Sequence, residues 1–356
     1  MTKLKPGVVT GKEYLALVRH CKKEGYALPA INVTGTNTVN AALEGAAKSK
    51  SDIIIQLSNG GAQFFAGKGI KDVNLARVIG AVSAARHVHT VAKAYGICVV
   101  LHTDHANKGL IPWVESMVEA SEAEYEKTGR PLFSSHMLDL SEEPIEENLA
   151  ECERILKRLA KIDMSLEIEL GVTGGEEDGV GSDLDQVDNN RLYTQPSEVL
   201  QAYEKLSPIG HFSVAAAFGN VHGVYKPGNV QLRPEILKQS QKHISEIFDT
   251  DGKPLDFVFH GGSGSSPEEI REAVSYGVFK MNVDTDTQFA FSKAVGPYVE
   301  AHPKAFKYQI DPEDGTPFKK HYDPRAWLRD CEVSMAERVQ QACNELGSSG
   351  KSIAAE

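Results

Sequence analysis

The sequence predicts an α/β fold, a (β/α)8 TIM barrel with additional N-terminal and C-terminal helices. Eight short apolar runs alternate with longer segments of helical periodicity, which is typical of βαβ units and a parallel sheet. Runs such as IIIQL and ICVVL are apolar enough to be covered on both faces. Polar side chains follow the runs, and in a barrel the carboxyl ends of all strands meet on the face that holds active sites.

The predicted elements divide the 356 residues as follows. Strands are expected at 27–31, 52–57, 97–102, 132–138, 165–169, 212–218, 256–259 and 278–282. Helix starts are indicated by capping boxes at Thr10 with Glu13 and at Ser266 with Glu269, and by Asp323 before a proline. Length alone allows one large domain or two. The strand ends favour a single domain over 1–346, with a helical appendage from about residue 303 and a flexible tail at 347–356.

Composition and charge exclude several classes of protein. With 41% hydrophobic and 24% charged residues the chain is globular, and not disordered, collagen-like or a disulfide scaffold. The net charge of −11 argues against nucleic-acid and membrane partners, although local groups can still bind an anionic substrate. The sequence has no transmembrane run or signal peptide, and its five cysteines form no CxxC pair. We therefore expect a cytoplasmic protein.

Three histidines suggest a metal site. His105 follows a strand in LHTDH, while His222 and His260 each follow an apolar strand and precede a glycine. A single histidine in such a place is more often structural. Three imidazoles with one open position are the catalytic arrangement typical of Zn²⁺, which polarises a carbonyl group. Asp104 would face the same cavity as a free acid.

Carboxylates and a glycine-rich loop could complete this site. Glu167 and Glu169 share one face of MSLEIELG, and Asp139 follows the preceding strand. Such residues form a second cation position, orient the histidines, or are ordinary solvated acids. The residue pattern alone does not separate Glu167 from Glu169. The loop 171–183 is a passive connection or a lid that carries a base, with Glu176 and Glu177 as the acids available.

A phosphate site is expected after the last two strands. The segments GGSGSSPEE and MNVDTDT supply backbone N–H groups, hydroxyls and a helix N-terminus. A glycine-serine loop alone is more often a plain turn. Its place after the seventh and eighth strands, where barrels frequently bind phosphate, supports the functional interpretation.

Taken together, the motifs LHTDH, GVTGGEEDG, FGNVHGVYKPGN, FVFHGGSGS and KMNVDTDTQ resemble those of the class II, metal-dependent fructose-bisphosphate aldolases. The resemblance runs from about Pro6 to Leu346 and is strongest to the fungal and enterobacterial subgroup. It implies reversible aldol cleavage of fructose 1,6-bisphosphate to dihydroxyacetone phosphate and glyceraldehyde 3-phosphate, in glycolysis and gluconeogenesis. It also implies that Zn²⁺ stabilises the enediolate.

The same resemblance implies roles for individual residues. Asp104 donates a proton to the aldehyde in condensation, and Glu177 removes a proton from the ketone substrate. Arg325 acts from the neighbouring subunit of a homodimer. The implied metal ligands are His105, His222 and His260 for catalytic Zn²⁺, with Asp139 and Glu169 at a second metal position. The implied contacts with the phosphorylated sugar are Asn32, Ser58, Gly223, Gly261, Gly262, Ser263, Asn282, Val283, Asp284, Thr285 and Arg325. The implied site for a monovalent cation, K⁺ or Na⁺, is formed by Val221, Gly223 and Gly261.

Two other functions remain open at this stage. Tagatose bisphosphate differs from fructose bisphosphate in the configuration of one hydroxyl, and a single sequence separates such epimers poorly. A histidine-rich barrel could also be a zinc hydrolase that activates water. A non-catalytic binding protein is disfavoured because it would need neither Asp104 nor the acidic loop.

Overall fold

The computed structural model describes residues 3–173, 175–177, 180–182, 192–220, 232–250, 252–262 and 265–355. Four of the predicted site residues lie outside these ranges, namely Val221, His222, Gly223 and Ser263. For 175–177 and 180–182 only the backbone is described, so the side chain of Glu177 also lies outside the description.

Eight parallel strands close into a barrel. The barrel strands are β2 (Leu28–Asn32), β3 (Ile53–Leu57), β4 (Cys98–Thr103), β5 (Ser135–Leu138), β6 (Ser165–Leu170), β9 (Phe212–Ala216), β10 (Phe257–Phe259) and β11 (Val278–Val283). Each pairs with the next along the chain, and β11 returns to pair with β2. Every predicted strand overlaps one of them. The predicted (β/α)8 barrel is therefore confirmed.

Three short strands complete the described sheet structure. β1 (Gly7–Val8) pairs with the beginning of β4 at Cys98 and Val99, whereas β5 pairs with its end at His102 and Thr103. β7 (Gly175–Glu177) and β8 (Val180–Ser182) form a separate antiparallel pair after β6. The predicted glycine-rich loop thus contains a β-hairpin, with Glu177 opposite Val180.

The helices cover the outside of the barrel. Those before β5 are α1 (Gly11–Glu24), α2 (Thr36–Lys48), α3 (Asn59–Ala66), α4 (Val73–Val91) and α5 (Ile111–Thr128). Those after β5 are α6 (Ile145–Leu159), α7 (Pro196–Leu206), α8 (Glu235–Phe248), α9 (Pro267–Ser275), α10 (Thr285–Lys293), α11 (Val295–Ala301), α12 (Lys319–Tyr322) and α13 (Pro324–Glu345). Short 3₁₀ helices occur at Ala92–Tyr95, Lys108–Leu110 and Ala160–Ile162. In the described part of the chain, none of these helices is long and apolar enough to cross a membrane.

All three predicted helix starts are confirmed, and one of the two predicted capping boxes is formed. Ser266 and Glu269 form the capping box of α9, and the Asp323 carboxylate accepts a hydrogen bond from the Arg325 N–H at the start of α13. Thr10 does precede α1, but its side chain makes no capping hydrogen bond. The predicted box is wrong there because the Glu13 carboxylate pairs instead with Arg130, at 2.5 Å.

The barrel interior changes from apolar to polar along the strands. Side chains two residues apart share a face of a strand, so Ile54 and Gln56 both point inward, as do Val100 and His102. The apolar members belong to a buried cluster in the lower barrel, which also includes Phe279. The polar members lie nearer the carboxyl ends. This layering leaves the upper face available for a polar site.

The segment from Gly347 to Ala355 packs on the barrel, which differs from the predicted flexible tail. Ile353 and Ala354 are buried, and Ala354 forms a parallel bridge with Leu4. The buried carboxylate of Asp52 accepts hydrogen bonds from the Ile353 N–H (2.9 Å) and the Ser352 hydroxyl (2.7 Å). The small polar residues of this segment looked tail-like in the sequence, but distant acceptors satisfy their donors.

The predicted C-terminal appendage lies against the barrel helices. α13 packs on α2 and α10. A Cβ atom at Gly45 of α2 would lie 2.5 Å from the Ala336 carbonyl oxygen of α13, so the two backbones approach closely. Arg329 of α13 also forms two bonds, of 2.6 and 2.8 Å, with the Glu44 carboxylate.

Candidate metal and substrate site

Two of the three predicted histidine ligands meet at the carboxyl ends of β4 and β10. The rings of His105 and His260 have centroids 4.7 Å apart, and both side chains are buried. His105 has a φ of 26°, which is rare for a residue with a side chain. The preceding residue, Asp104, anchors this turn by donating its N–H to the Leu57 carbonyl oxygen at 2.8 Å.

Carboxylates bring further donor atoms to these histidines. His105 Nδ1 lies 3.1 Å from Asp139 Oδ2 and 3.7 Å from Glu169 Oε2, and the same Glu169 oxygen lies 3.5 Å from His260 Nδ1. The candidate ligand atoms of Asp104, His105 and His260 all lie within 4.8 Å of one another, as do those of His105, Asp139 and Glu169.

The electrostatics of this cluster fit a bound cation. Burial and the negative charge of Asp139 raise the pKa of Glu169. Burial also raises the pKa of Asp139, but hydrogen bonds from His105 and Ser141 outweigh it and lower the value to about 2. Among the described residues, none donates a hydrogen bond of ordinary length to Glu169 Oε2, which is buried. Nitrogen and oxygen donors converging on a buried negative centre suit a divalent metal such as Zn²⁺.

Asp104 is held by amide groups from three other strands. Its Oδ2 accepts hydrogen bonds from Asn32 Nδ2 and Gln56 Nε2, both at 3.0 Å, and its Oδ1 lies 3.3 Å from Asn282 Nδ2. Gln56 Nε2 also donates to Asn32 Oδ1 at 2.6 Å. Burial opposes ionisation of Asp104, but the charges of His105 and neighbouring cations outweigh it and hold the pKa below its usual range. Asp104 is therefore an oriented, ionised carboxylate.

A buried ion pair lies just below the histidines. Lys280 Nζ contacts both carboxylate oxygens of Glu167, at 2.9 and 2.7 Å. Glu167 Oε1 also accepts a hydrogen bond of 2.9 Å from His260 Nε2. Burial lowers the pKa of His260, but its hydrogen bond with Glu167 and the neighbouring Glu169 carboxylate outweigh this and raise the value to about 9.

The described residues of the predicted phosphate side occupy loops and helix starts around the same mouth. Ser58 caps α3 by accepting a hydrogen bond from the Gly61 N–H at 3.0 Å. Asn282 and Val283 are buried at the end of β11, and Asp284 precedes α10, which begins at Thr285. Gly261 has a φ of 58°. At Gly262 a Cβ would lie 2.4 Å from Met281 Cε, so glycine allows a close approach of the two segments.

Arg325 lies apart from this mouth within the single chain. It stands in the first turn of α13 with 89% of its side chain exposed, and its hydrogen bonds in the described part of the chain all go to Asp323. The role of Arg325 at the site of a neighbouring subunit stays a prediction.

Sequence reasoning assigned no role to three polar residues inside the barrel. Gln56 and Lys280 interrupt apolar strands, and His102 pairs through Nδ1 with the Ser135 hydroxyl at 2.8 Å. The structure also separates Glu167, which pairs with Lys280, from Glu169, which faces the histidine pair. The sequence did contain a signal that could have identified these three residues. Gln56, His102 and Lys280 each lie two residues before a predicted site residue and so share its strand face.

The fold and site define a (β/α)8 barrel with a candidate metal centre at its mouth. Residues 12–351 match the sequence model of the family described as "Fructose-bisphosphate aldolase class-II". The chain is 53% identical to the fructose-bisphosphate aldolase of Haemophilus influenzae, with 96% of each chain covered. It is 51% identical to the class 2 fructose-bisphosphate aldolase of Escherichia coli K12, again over 96% of each. A crystal structure of the Campylobacter jejuni fructose-bisphosphate aldolase matches with a TM-score of 0.88 and 52% identity, over 98% of both chains. The chain therefore belongs to the class II fructose-bisphosphate aldolase family, as the motifs predicted.

Proposed function

We propose that this protein catalyses the reversible cleavage of fructose 1,6-bisphosphate to dihydroxyacetone phosphate and glyceraldehyde 3-phosphate, and acts in glycolysis and gluconeogenesis. The observation that carries the proposal is the Asp104 carboxylate, held by Asn32, Gln56 and Asn282 beside His105 and His260. An ionised acid next to a metal centre is the combination that aldol cleavage requires.

Asp104 acts on the aldehyde side of the bond that breaks. In cleavage it accepts the proton of the hydroxyl group beside that C–C bond, so that the aldehyde forms. In condensation it returns this proton to the aldehyde oxygen. Three amide groups fix its orientation before substrate binds, which reduces the cost of reaching the reactive geometry. Glu177 supplies the proton to the carbon left with the electron pair, and removes it again in condensation.

His105, His222 and His260 would hold a Zn²⁺ ion, and Asp139 and Glu169 would supply a second metal position. A Lewis acid bound there stabilises the negative charge that develops on the ketone side of the breaking bond. The described donors support this assignment because nitrogen and carboxylate ligands converge within 4.8 Å.

The remaining parts of the proposal concern ligands and assembly. Ser58, the glycine-serine loop from Gly261 to Ser263, and the segment from Asn282 to Thr285 would bind the phosphorylated sugar. A monovalent cation, K⁺ or Na⁺, would bind near Val221, Gly223 and Gly261. The active form would be a cytoplasmic homodimer in which Arg325 reaches the site of the neighbouring subunit.

The decisive experiment is steady-state cleavage of fructose 1,6-bisphosphate and of tagatose 1,6-bisphosphate, before and after treatment with EDTA and after addition of Zn²⁺. We expect higher turnover with the fructose substrate, loss of activity with EDTA and recovery with Zn²⁺. Full activity in protein shown to be metal-free would contradict the metal mechanism. Faster turnover of tagatose 1,6-bisphosphate would reassign the substrate, and release of inorganic phosphate without C–C cleavage would indicate a hydrolase.

A further inference from the structure

The ion pair of Glu167 and Lys280 lies deeper in the barrel than the candidate metal ligands. Both side chains, and that of His260, are 2% exposed or less. Lys280 contacts both oxygens of Glu167, while Glu167 Oε1 is shared between Lys280 and His260 Nε2. Three residues from β6, β11 and the end of β10 therefore form one connected polar chain.

The hydrogen bond with Glu167 determines which ring nitrogen of His260 faces the candidate metal centre. A carboxylate is only an acceptor, so the bond to Glu167 requires a hydrogen on His260 Nε2. The other nitrogen, Nδ1, lies 3.5 Å from Glu169 Oε2, on the side of the His105 ring. Metal binding requires the neutral ring, and a neutral His260 that keeps its Nε2–H bond to Glu167 presents Nδ1 as the lone-pair donor.

Lys280 in turn limits the movement of Glu167. A carboxylate buried among apolar side chains is stable only when paired, and two contacts with one ammonium group restrict its rotation. His102 Nε2, 3.5 Å from Glu167 Oε2, is the nearest competing partner on β4. With Lys280 in place, Glu167 Oε1 stays directed at His260.

We propose that Glu167 and Lys280 are a positioning pair that orients His260 for metal binding, with Lys280 acting through Glu167. The inference rests on the proposed metal centre. Outer partners of metal-binding histidines fix ring orientation, and their removal typically weakens metal affinity ~10–100-fold. We expect losses of that size for Glu167→Gln and for Lys280→Met.

The chain offers a matched control at the opposite end of β10. Asp256 contacts Lys22 Nζ at 2.6 Å and His211 Nε2 at 2.7 Å. A carboxylate thus lies between a lysine and a histidine here, as Glu167 does between Lys280 and His260. His260 lies four positions after Asp256, or roughly 13 Å along an extended strand. Asp256→Asn should therefore affect folding stability and leave metal affinity within about twofold of wild type.

The test is Zn²⁺ affinity, measured by competition with a chromophoric chelator, together with the visible absorption spectrum of the Co²⁺-loaded protein. Thermal unfolding of the metal-free variants, followed by circular dichroism, reports stability separately. Glu167→Gln and Lys280→Met should weaken Zn²⁺ binding ~10–100-fold and alter the Co²⁺ spectrum. Lys280→Arg, which keeps the positive charge, should restore most of the affinity. The double variant should lose no more than Glu167→Gln alone, because Lys280 acts through Glu167.

Three results would overturn the proposal: wild-type Zn²⁺ affinity in a folded Glu167→Gln protein, additive losses in the double variant, or an equal loss in Asp256→Asn. If Glu167→Gln does not fold, Lys280→Met and Lys280→Arg decide the question, since equal affinity in these two would refute a role for the ion pair. If the wild-type protein itself bound no Zn²⁺, the proposed metal centre would fail first, which distinguishes the two failures.

Discussion

Replacing Gln56 by leucine tests whether the amide groups around Asp104 contribute to turnover. Leucine has a similar size but no polar atoms, so Gln56→Leu removes the 3.0 Å hydrogen bond to Asp104 Oδ2 and the 2.6 Å bond to Asn32 Oδ1. Gln56 is fully buried, and water does not readily replace the lost donor. The variant leaves the metal ligands unchanged.

The size of the effect follows from the charge on Asp104. A hydrogen bond to a charged group contributes about 1.5–3 kcal/mol. If that orienting energy is lost at the transition state, kcat/KM for fructose 1,6-bisphosphate cleavage should fall by roughly 10- to 150-fold. Freed from one donor, Asn32 can also turn away from Asp104, which places the expected loss toward the upper part of this range.

The assay is steady-state cleavage at saturating Zn²⁺, with metal content and urea unfolding measured on the same samples. Gln241→Leu is a matched control. Gln241 is also a buried glutamine, and its Nε2 donates to the Leu255 and Tyr276 carbonyl oxygens at 2.9 and 3.0 Å, near the amino-terminal ends of β10 and β11. The Gln241→Leu variant should be less stable than the wild type but keep its kcat/KM. A folded Gln56→Leu protein with kcat/KM within twofold of wild type would refute the reasoning.

Three further predictions concern stability and chemistry. Burial, with a smaller contribution from His102, lowers the pKa of His136 from 6.5 to about 3; the unfolded chain therefore binds a proton below pH 6.5 that the native state does not. Because of His136, the free energy of unfolding should decrease by about 1.4 kcal/mol for each pH unit as pH falls from 6.5 toward 3. In a His136→Gln variant the free energy of unfolding, measured by urea denaturation at each pH, should decrease less steeply over this range. Asp52→Ala leaves the buried Ile353 and Cys98 N–H groups without their acceptor and should cost about 3 kcal/mol by urea unfolding; an unchanged midpoint would show that the C-terminal segment adds no stability. Asp104→Ala should suppress C–C cleavage while the protein still binds Zn²⁺, and loss of the metal in this variant would make Asp104 a ligand rather than a proton carrier.

The sequence was sufficient to predict the barrel because each strand is a short apolar run and each run ends in polar residues. Strand ends depend on local chemistry, which explains why Asp104, His105 and His260 could be placed together in advance. Residues inside a strand are harder to assign. Lys280 in VFKMN could face the helices or the barrel interior, and only closure of the sheet brings it to Glu167, 113 positions earlier.

The C-terminal segment shows a second limit of sequence reasoning. Its composition is that of a disordered end, rich in serine and glycine and with few apolar residues. What orders it is Asp52, some 300 positions away, whose buried carboxylate collects the N–H and hydroxyl donors of the segment. Such contacts between distant parts of the chain leave no local pattern in the sequence.

The bridge between Leu4 and Ala354 bears on how the protein can be engineered. Both residues lie by the amino-terminal ends of the strands, since β1 pairs with the beginning of β4. An immobilisation tag attached near either residue would therefore anchor the barrel by its closed base, with the catalytic mouth directed away from the support.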